Sequence, residues 1–150
     1  MIEYTVNVYS DGDIHWYLKG KYHREGDKPA IERASGHKEW WLNGERHREG
    51  DKPAIEKADG TKEWWLNGKL HREGDKPAVE YSSGTKEWYK NGKLHRENGA
   101  AVEYANGSKA WYLNGENLAE EEHTERTQPA KELTVADIEK LLGHKVKVVK

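Results

Sequence analysis

Tryptophan returns along this chain at a fixed interval. Trp16, Trp40, Trp64, Trp88 and Trp111 are separated by 24, 24, 24 and 23 residues. A period of this size marks a chain built from repeated supersecondary units. One phrase surrounds each copy: Trp16-Tyr17-Leu18-Lys19-Gly20, Trp40-Trp41-Leu42-Asn43-Gly44, Trp64-Trp65-Leu66-Asn67-Gly68, Trp88-Tyr89-Lys90-Asn91-Gly92 and Trp111-Tyr112-Leu113-Asn114-Gly115. A His-Arg-Glu triplet follows four of them, at His23-Arg24-Glu25, His47-Arg48-Glu49, His71-Arg72-Glu73 and His95-Arg96-Glu97. The fifth unit lacks the triplet. The fourth replaces Gly74-Asp75-Lys76-Pro77-Ala78 of its predecessor with Asn98-Gly99-Ala100-Ala101, which accounts for the shorter interval.

Two turn signals punctuate each unit. Asn-Gly follows the Trp segment, and Asp11-Gly12, Ser35-Gly36, Asp59-Gly60, Ser83-Gly84 or Asn106-Gly107 precedes it. Asn-Gly and Asp-Gly suit two-residue type I′ turns, in which both central residues take positive φ. The segments between turns are of ordinary strand length, so the chain reads as an antiparallel meander with two strands per repeat. Pro29, Pro53 and Pro77 follow a Gly-Asp-Lys loop and mark strand starts, since proline cannot donate to a ladder. Two-residue loops at both turns would set Trp65 opposite Leu70, Trp64 opposite His71, Glu63 opposite Arg72 and Ile55 opposite Trp64. That register predicts cross-strand ion pairs Glu39–Arg48, Glu63–Arg72 and Glu87–Arg96. It also predicts that the invariant Trp stacks on its copies, each unit leaning on the next.

Composition fits a thin array better than a deep core. Val, Ile and Leu supply only 23 of 150 residues and Phe is absent, which by itself points toward disorder. Seven Trp and eight Tyr restore buriable surface, and 25 Lys+Arg nearly cancel 27 Asp+Glu to a net charge of −2. No apolar run reaches membrane-span length, and Met1-Ile2-Glu3-Tyr4 lacks the pattern of a signal peptide. Cysteine is absent, which removes disulfides, thiolate metal sites and thiol nucleophiles, and is compatible with a cytoplasmic setting. The near balance of charge argues against nucleic-acid binding.

The segment Lys62-Glu63-Trp64-Trp65-Leu66-Asn67-Gly68-Lys69-Leu70-His71 resembles the MORN repeat family, whose units are β-hairpins with an aromatic strand, an Asn-Gly turn and a following His-Gly. Here Arg24, Arg48, Arg72 and Arg96 stand where that family has Gly, so the resemblance is to a variant. The fuller pattern, through Asn-Gly-Lys-x-His-Arg-Glu-x-Gly-x-Pro-Ala, is similar to tandem repeats in uncharacterised bacteriophage and large-virus proteins. It spans residues 9–115. It implies a repeat architecture and a viral source, with the host cytoplasm as the setting, and supplies no activity. The expected fold is mainly β, an elongated antiparallel β-hairpin array over 1–116 with a short α/β cap or docking tail over 117–150.

The tail has its own signals. Asn117 with Glu120 reads as the N-terminus of a short acidic helix reaching about Arg126, and 127–130 reads as a linker. Thr134 and Asp137 form a helix start, Ile138, Leu141 and Leu142 an apolar stripe, and Gly143 a stop. Lys145 to Val149 alternates like a final strand. The tail either closes the open end of the array or serves docking and oligomerisation.

Four near-equal copies of His-Arg-Glu are unlike an enzyme centre, in which single residues hold distinct roles, and no nucleophile-elbow or phosphate-loop motif is present. No catalytic residues, metal ligands or cofactors are therefore expected. His23, His47, His71 and His95 fall one per repeat, about 9–10 Å apart at two strand spacings, too far to share one ion. They read as partners of the strand backbone. Repetition favours binding. Arg24, Arg48, Arg72 and Arg96, the four His beside them, and Trp41, Trp65 and Tyr89 are the candidate contact residues. Two functions follow: a non-enzymatic scaffold for a protein partner, plausible for a phage accessory factor acting on a host protein, or a sponge that sequesters a small anionic or nucleotide-like ligand.

Overall fold

The computed structural model describes residues 1–128 and 133–147. It is mainly β, and the strands follow one another in chain order. A meandering antiparallel sheet runs through Thr5–Val8, Ile14–Leu18, Ile31–Glu32, Lys38–Glu39, Ile55–Glu56, Lys62–Glu63, Val79–Glu80, Lys86–Glu87, Val102–Glu103, Lys109–Leu113 and Glu116–Leu118. Three small hairpin arms stand off it, Trp41–Leu42 with Glu45–Arg46, Trp65–Leu66 with Lys69–Leu70, and Tyr89–Lys90 with Lys93–Leu94.

The interior strands are two residues long, much shorter than the turn spacing implies. The cause is a corner at the invariant Trp. Glu63 belongs to the sheet, Trp65 to an arm, and Trp64 lies between them, its amide donating to Ala78 O and its carbonyl accepting from His71 N. The Asn-Gly arm has the expected register, Trp65 opposite Leu70 and Leu66 opposite Lys69. Asn67 and Gly68 both have positive φ, 48° and 74°, as a type I′ turn requires.

The other turn differs from expectation. Lys57 N bonds Thr61 O, and Gly60 N bonds Lys57 O, so Ala58, Asp59 and Gly60 form a three-residue loop. Gly60 alone takes positive φ, 91°, the signature of a type I turn closed by a glycine bulge. That extra residue shifts the register by one, and Ile55 lies opposite Glu63 instead of Trp64. A one-residue shift exchanges the faces of a strand. Along the sheet, Glu32, Lys38, Glu56, Lys62, Glu80, Lys86, Glu103 and Lys109 therefore align in an alternating row, and the neighbouring row carries Ile31, Ile55, Val79 and Val102.

Each repeat contributes one thin slice of core. Ala30, Ala54, Ala78 and Ala101 are fully buried, the aliphatic residue after each is nearly so, and Trp40, Trp64 and Trp88 close the slices. Turns are tied from repeat to repeat. Gly44, Gly68, Gly92 and Gly115 donate their amides to Tyr22, Arg46, Leu70 and Leu94 of the repeat before. Thr61 Oγ1 accepts from Ser82 N, and Thr85 Oγ1 from Ala105 N.

Helix α1, Glu120–Thr127, packs on Lys109–Leu113. Asn117 is not its cap: it lies in the strand Glu116–Leu118, paired with Tyr112, and the N-cap is Ala119 with no side-chain bond. Strand pairing takes the backbone of Asn117, so the helix starts later. His123 of α1 is buried, its Nε2 2.6 Å from Arg96 O. Helix α2, Val135–Leu142, has the expected capping box between Thr134 and Asp137 and the expected Gly143 stop at φ 71°. Of the expected linker, Thr127 is helical and Pro129 and Ala130 lie outside the described residues. Lys145 to Lys147 form no strand, Val146 N instead donating to Glu139 Oε1, and Val148 and Val149 lie outside the described residues.

A slice this thin tolerates no added volume. Ala78→Leu should lower the free energy of unfolding by about 1–3 kcal/mol in urea denaturation, while Ala58→Ser in an exposed turn should stay within about 0.5 kcal/mol of the parent.

Candidate functional site

The arginine of each His-Arg-Glu triplet lies across the invariant Trp. Guanidinium carbons sit 3.9, 3.7, 3.7 and 3.9 Å from the ring centroids in the pairs Arg24–Trp16, Arg48–Trp40, Arg72–Trp64 and Arg96–Trp88. The expected stacking of Trp on Trp does not occur, because the guanidinium occupies the ring face that a second indole would need. The expected ion pairs with Glu39, Glu63 and Glu87 do not form either. After His71 the backbone leaves its hairpin partner, and the corresponding amides of Arg48 and Arg96 bond Trp65 O and Tyr112 O of the following repeat.

Other acids hold the guanidiniums. Arg72 Nε donates to Asp51 Oδ1 at 2.7 Å, and Nη1 donates to Glu80 Oε1 at 2.9 Å and Pro77 O at 3.1 Å. Arg48 repeats this with Asp27, Glu56 and Pro53 O, and Arg96 with Asp75, Glu103 and Ala100 O. Arg24 has Glu32 and Pro29 O. The four arginine side chains keep only 12–18% of their exposure. The Trp indole binds the same loop, Trp64 Nε1 donating to Asp51 O at 3.2 Å. The glutamates released from the expected pairs serve the arms. Glu39 takes Arg46, His37 and the Trp41 indole N–H, Glu63 takes Lys57 and Trp65, and Glu87 takes Tyr89. Burial opposes the ionisation of Glu39, but the bonds from His37 and Arg46 outweigh it and hold its pKa down.

The histidines cap the neighbouring turn. Nδ1 of His23, His47, His71 and His95 accepts from the amides of Asn43, Asn67, Asn91 and Asn114 at 3.0–3.1 Å. An accepting Nδ1 places the ring proton on Nε2, which faces the Glu two residues on. That contact is 2.8 Å for His71–Glu73 and 3.7, 3.6 and 3.4 Å for His23–Glu25, His47–Glu49 and His95–Glu97. Among the described residues no three His, Asp or Glu side chains converge as a metal ion would need.

These parts frame three successive grooves, at the first three repeat junctions. The first, about 660 Å³, is lined by His23, Arg24, Glu25, Trp40, Trp41, His47, Arg48 and Glu49 among others. The second, about 400 Å³, shifts every role by one repeat to Trp64, Trp65, His71, Arg72 and Glu73. The third, about 160 Å³, holds Trp88, Tyr89, His95, Arg96 and Glu97. All eleven candidate contact residues therefore belong to one row. Their roles differ: Arg and His build the walls, while Trp41, Trp65 and Tyr89 are half-buried and bond to the glutamates two residues before them. Asp27, Asp51 and Asp75 were not among the candidates, although they carry the clamp. Their signal was the Gly-Asp step that recurs 21 residues before the next arginine.

No protein-family model matches the chain, and no curated protein matches it in sequence. No helix among the described residues is long and apolar enough to cross a membrane.

Replacing the planar fork by a point charge isolates the clamp. Arg72→Lys should lose the stacked, bidentate geometry and lower unfolding free energy by about 1–2 kcal/mol. The clamp also sets the acid limit. Bonds from Arg48 and then Lys52 hold the Asp27 carboxyl at about 2, and Arg72 and then Lys76 do the same for Asp51. Both pKa values lie below the unfolded value, so their stabilisation is complete above about pH 4 and disappears as pH falls toward 2. Acid titration by circular dichroism should show this loss, reduced in an Asp27→Asn, Asp51→Asn double variant.

Proposed function

We propose that this chain is a non-catalytic repeat scaffold whose row of grooves holds a protein partner. The observation that carries this reading is the recurrence of a similar groove at three successive repeat junctions, with most lining residues replaced by their counterparts from the next repeat. Repeated sites in line suit a polymeric ligand, because contacts made by one chain at neighbouring sites reinforce one another. A single catalytic constellation has no such need for copies. The sponge for a small anion draws less support, since each arginine that would bind it already meets a carboxylate. The resemblance to repeat proteins of phages and large viruses suggests the setting, an accessory factor acting on a host protein in the cytoplasm.

A photo-crosslinking side chain at Glu49, on the rim shared by the first two grooves, should capture a discrete protein in cells that make this chain. The same probe at exposed Glu121 on α1 should not. Equal capture at both sites, or native mass spectrometry that finds a bound small molecule and no protein, would overturn the reading.

A further inference from the structure

The grooves carry an imbalance of charge that specifies their occupant. Every arginine and lysine lining the first two is neutralised within the fold. Arg24 meets Glu32, Arg48 meets Asp27 and Glu56, Arg72 meets Asp51 and Glu80, and Lys52 and Lys76 donate to Asp27 and Asp51 at 2.6 Å. The glutamates of the triplets have no such partner. Glu25, Glu49, Glu73 and Glu97 meet no lysine or arginine among the described residues, only the neighbouring His, and their side chains are 57–86% exposed. Each groove therefore has an unneutralised carboxylate on both rims. A second, independent feature lies in the first groove. His23 is 5% exposed, and its Nε2 has no hydrogen-bond partner. Its Nδ1 accepts from Asn43, so Nε2 is a donor, and it points toward Glu25 on the groove wall, too distant to bond. A buried donor without a partner is costly, and a ligand carbonyl would satisfy it.

The spacing fixes the conformation. Equivalent positions in adjacent repeats are two strands apart, about 9.6 Å. One turn of polyproline II helix has three residues and rises about 9.3 Å, and its carbonyls make no internal hydrogen bonds. Resting on the scaffold reading above, we infer that the row binds an extended, polyproline-II-like basic peptide, with Lys or Arg at every third residue set between successive rim glutamates and one backbone carbonyl facing the His23 donor. The third groove is the smallest, and Lys90 in it has no carboxylate partner among the described residues. The first two grooves are therefore the dominant sites.

The test uses the full chain and labelled synthetic peptides in fluorescence anisotropy. (Pro-Pro-Arg)5 should bind. Peptides of equal length and equal arginine number, with arginine at every second residue or in one block, should bind at least about tenfold more weakly. Glu25→Gln with Glu49→Gln should weaken the period-three peptide about tenfold, whereas Glu121→Gln on α1 should leave it unchanged. Both variants alter exposed side chains, and an unchanged thermal midpoint would show that folding is intact. Equal affinity for all arginine spacings, or no effect of the Glu25 and Glu49 changes, would overturn the assignment. So would preferential binding of a (Pro-Pro-Glu)5 peptide. If no peptide binds while the Glu49 crosslinker still captures a protein, this inference fails and the scaffold reading stands. If both fail, the scaffold reading falls as well.

Discussion

A guanidinium laid flat on an indole holds this molecule together. Neither group would sit comfortably alone. The Trp at each corner has a face that nothing aliphatic is available to cover, and the Arg beside it is mostly removed from water. Stacked, the cation covers the ring, and its N–H groups reach outward in the plane to a loop aspartate on one side and a strand glutamate on the other. Each clamp thus touches three consecutive units: Asp51 comes from the preceding loop, Trp64 from the unit itself and Glu80 from the strand that opens the next. The sheet ladder, the turn bonds and the histidine caps all run along the joint that the clamp closes.

The composition follows from this construction. A chain poor in Val, Ile and Leu and free of Phe folds because each unit buries only an alanine, one aliphatic residue and one indole. Charge replaces much of the missing apolar volume. Arg48, Arg72 and Arg96 each meet an aspartate and a glutamate, and Arg24 meets Glu32. The glutamates at the groove rims meet no lysine or arginine among the described residues, so net charge alone hides a local excess of carboxylate.

Much of the architecture was legible in the sequence. The Trp period gave the repeat, and Asn-Gly gave the arm turn and its register. Thr134 with Asp137 and Gly143 bounded the last helix. Part of what escaped came from one residue of loop. Asp59-Gly60 can close a two-residue or a three-residue turn, and local sequence does not separate them. The longer form moves Ile55 from Trp64 to Glu63 and every other partner on that strand with it, while the corner at Trp64 separately parts Arg72 from Glu63. Long-range partners were hidden for a related reason. Asp51 and Arg72 meet only because the chain turns a corner at Trp64, and a corner has no periodicity of its own. The candidate contact residues fall along one row, but a sequence does not distinguish a guanidinium facing solvent from one already held by two carboxylates.

Because Arg48, Arg72 and Arg96 each draw an aspartate from the unit before and a glutamate from the strand that opens the next, these junctions are indifferent to how many units flank them. Loss or duplication of a whole 24-residue block would leave every remaining junction chemically unchanged, with the terminal helix still meeting the last strand. Array length is then a variable that genetic drift can adjust in single steps. The number of grooves would then rise or fall with the number of units, without redesign of the parts.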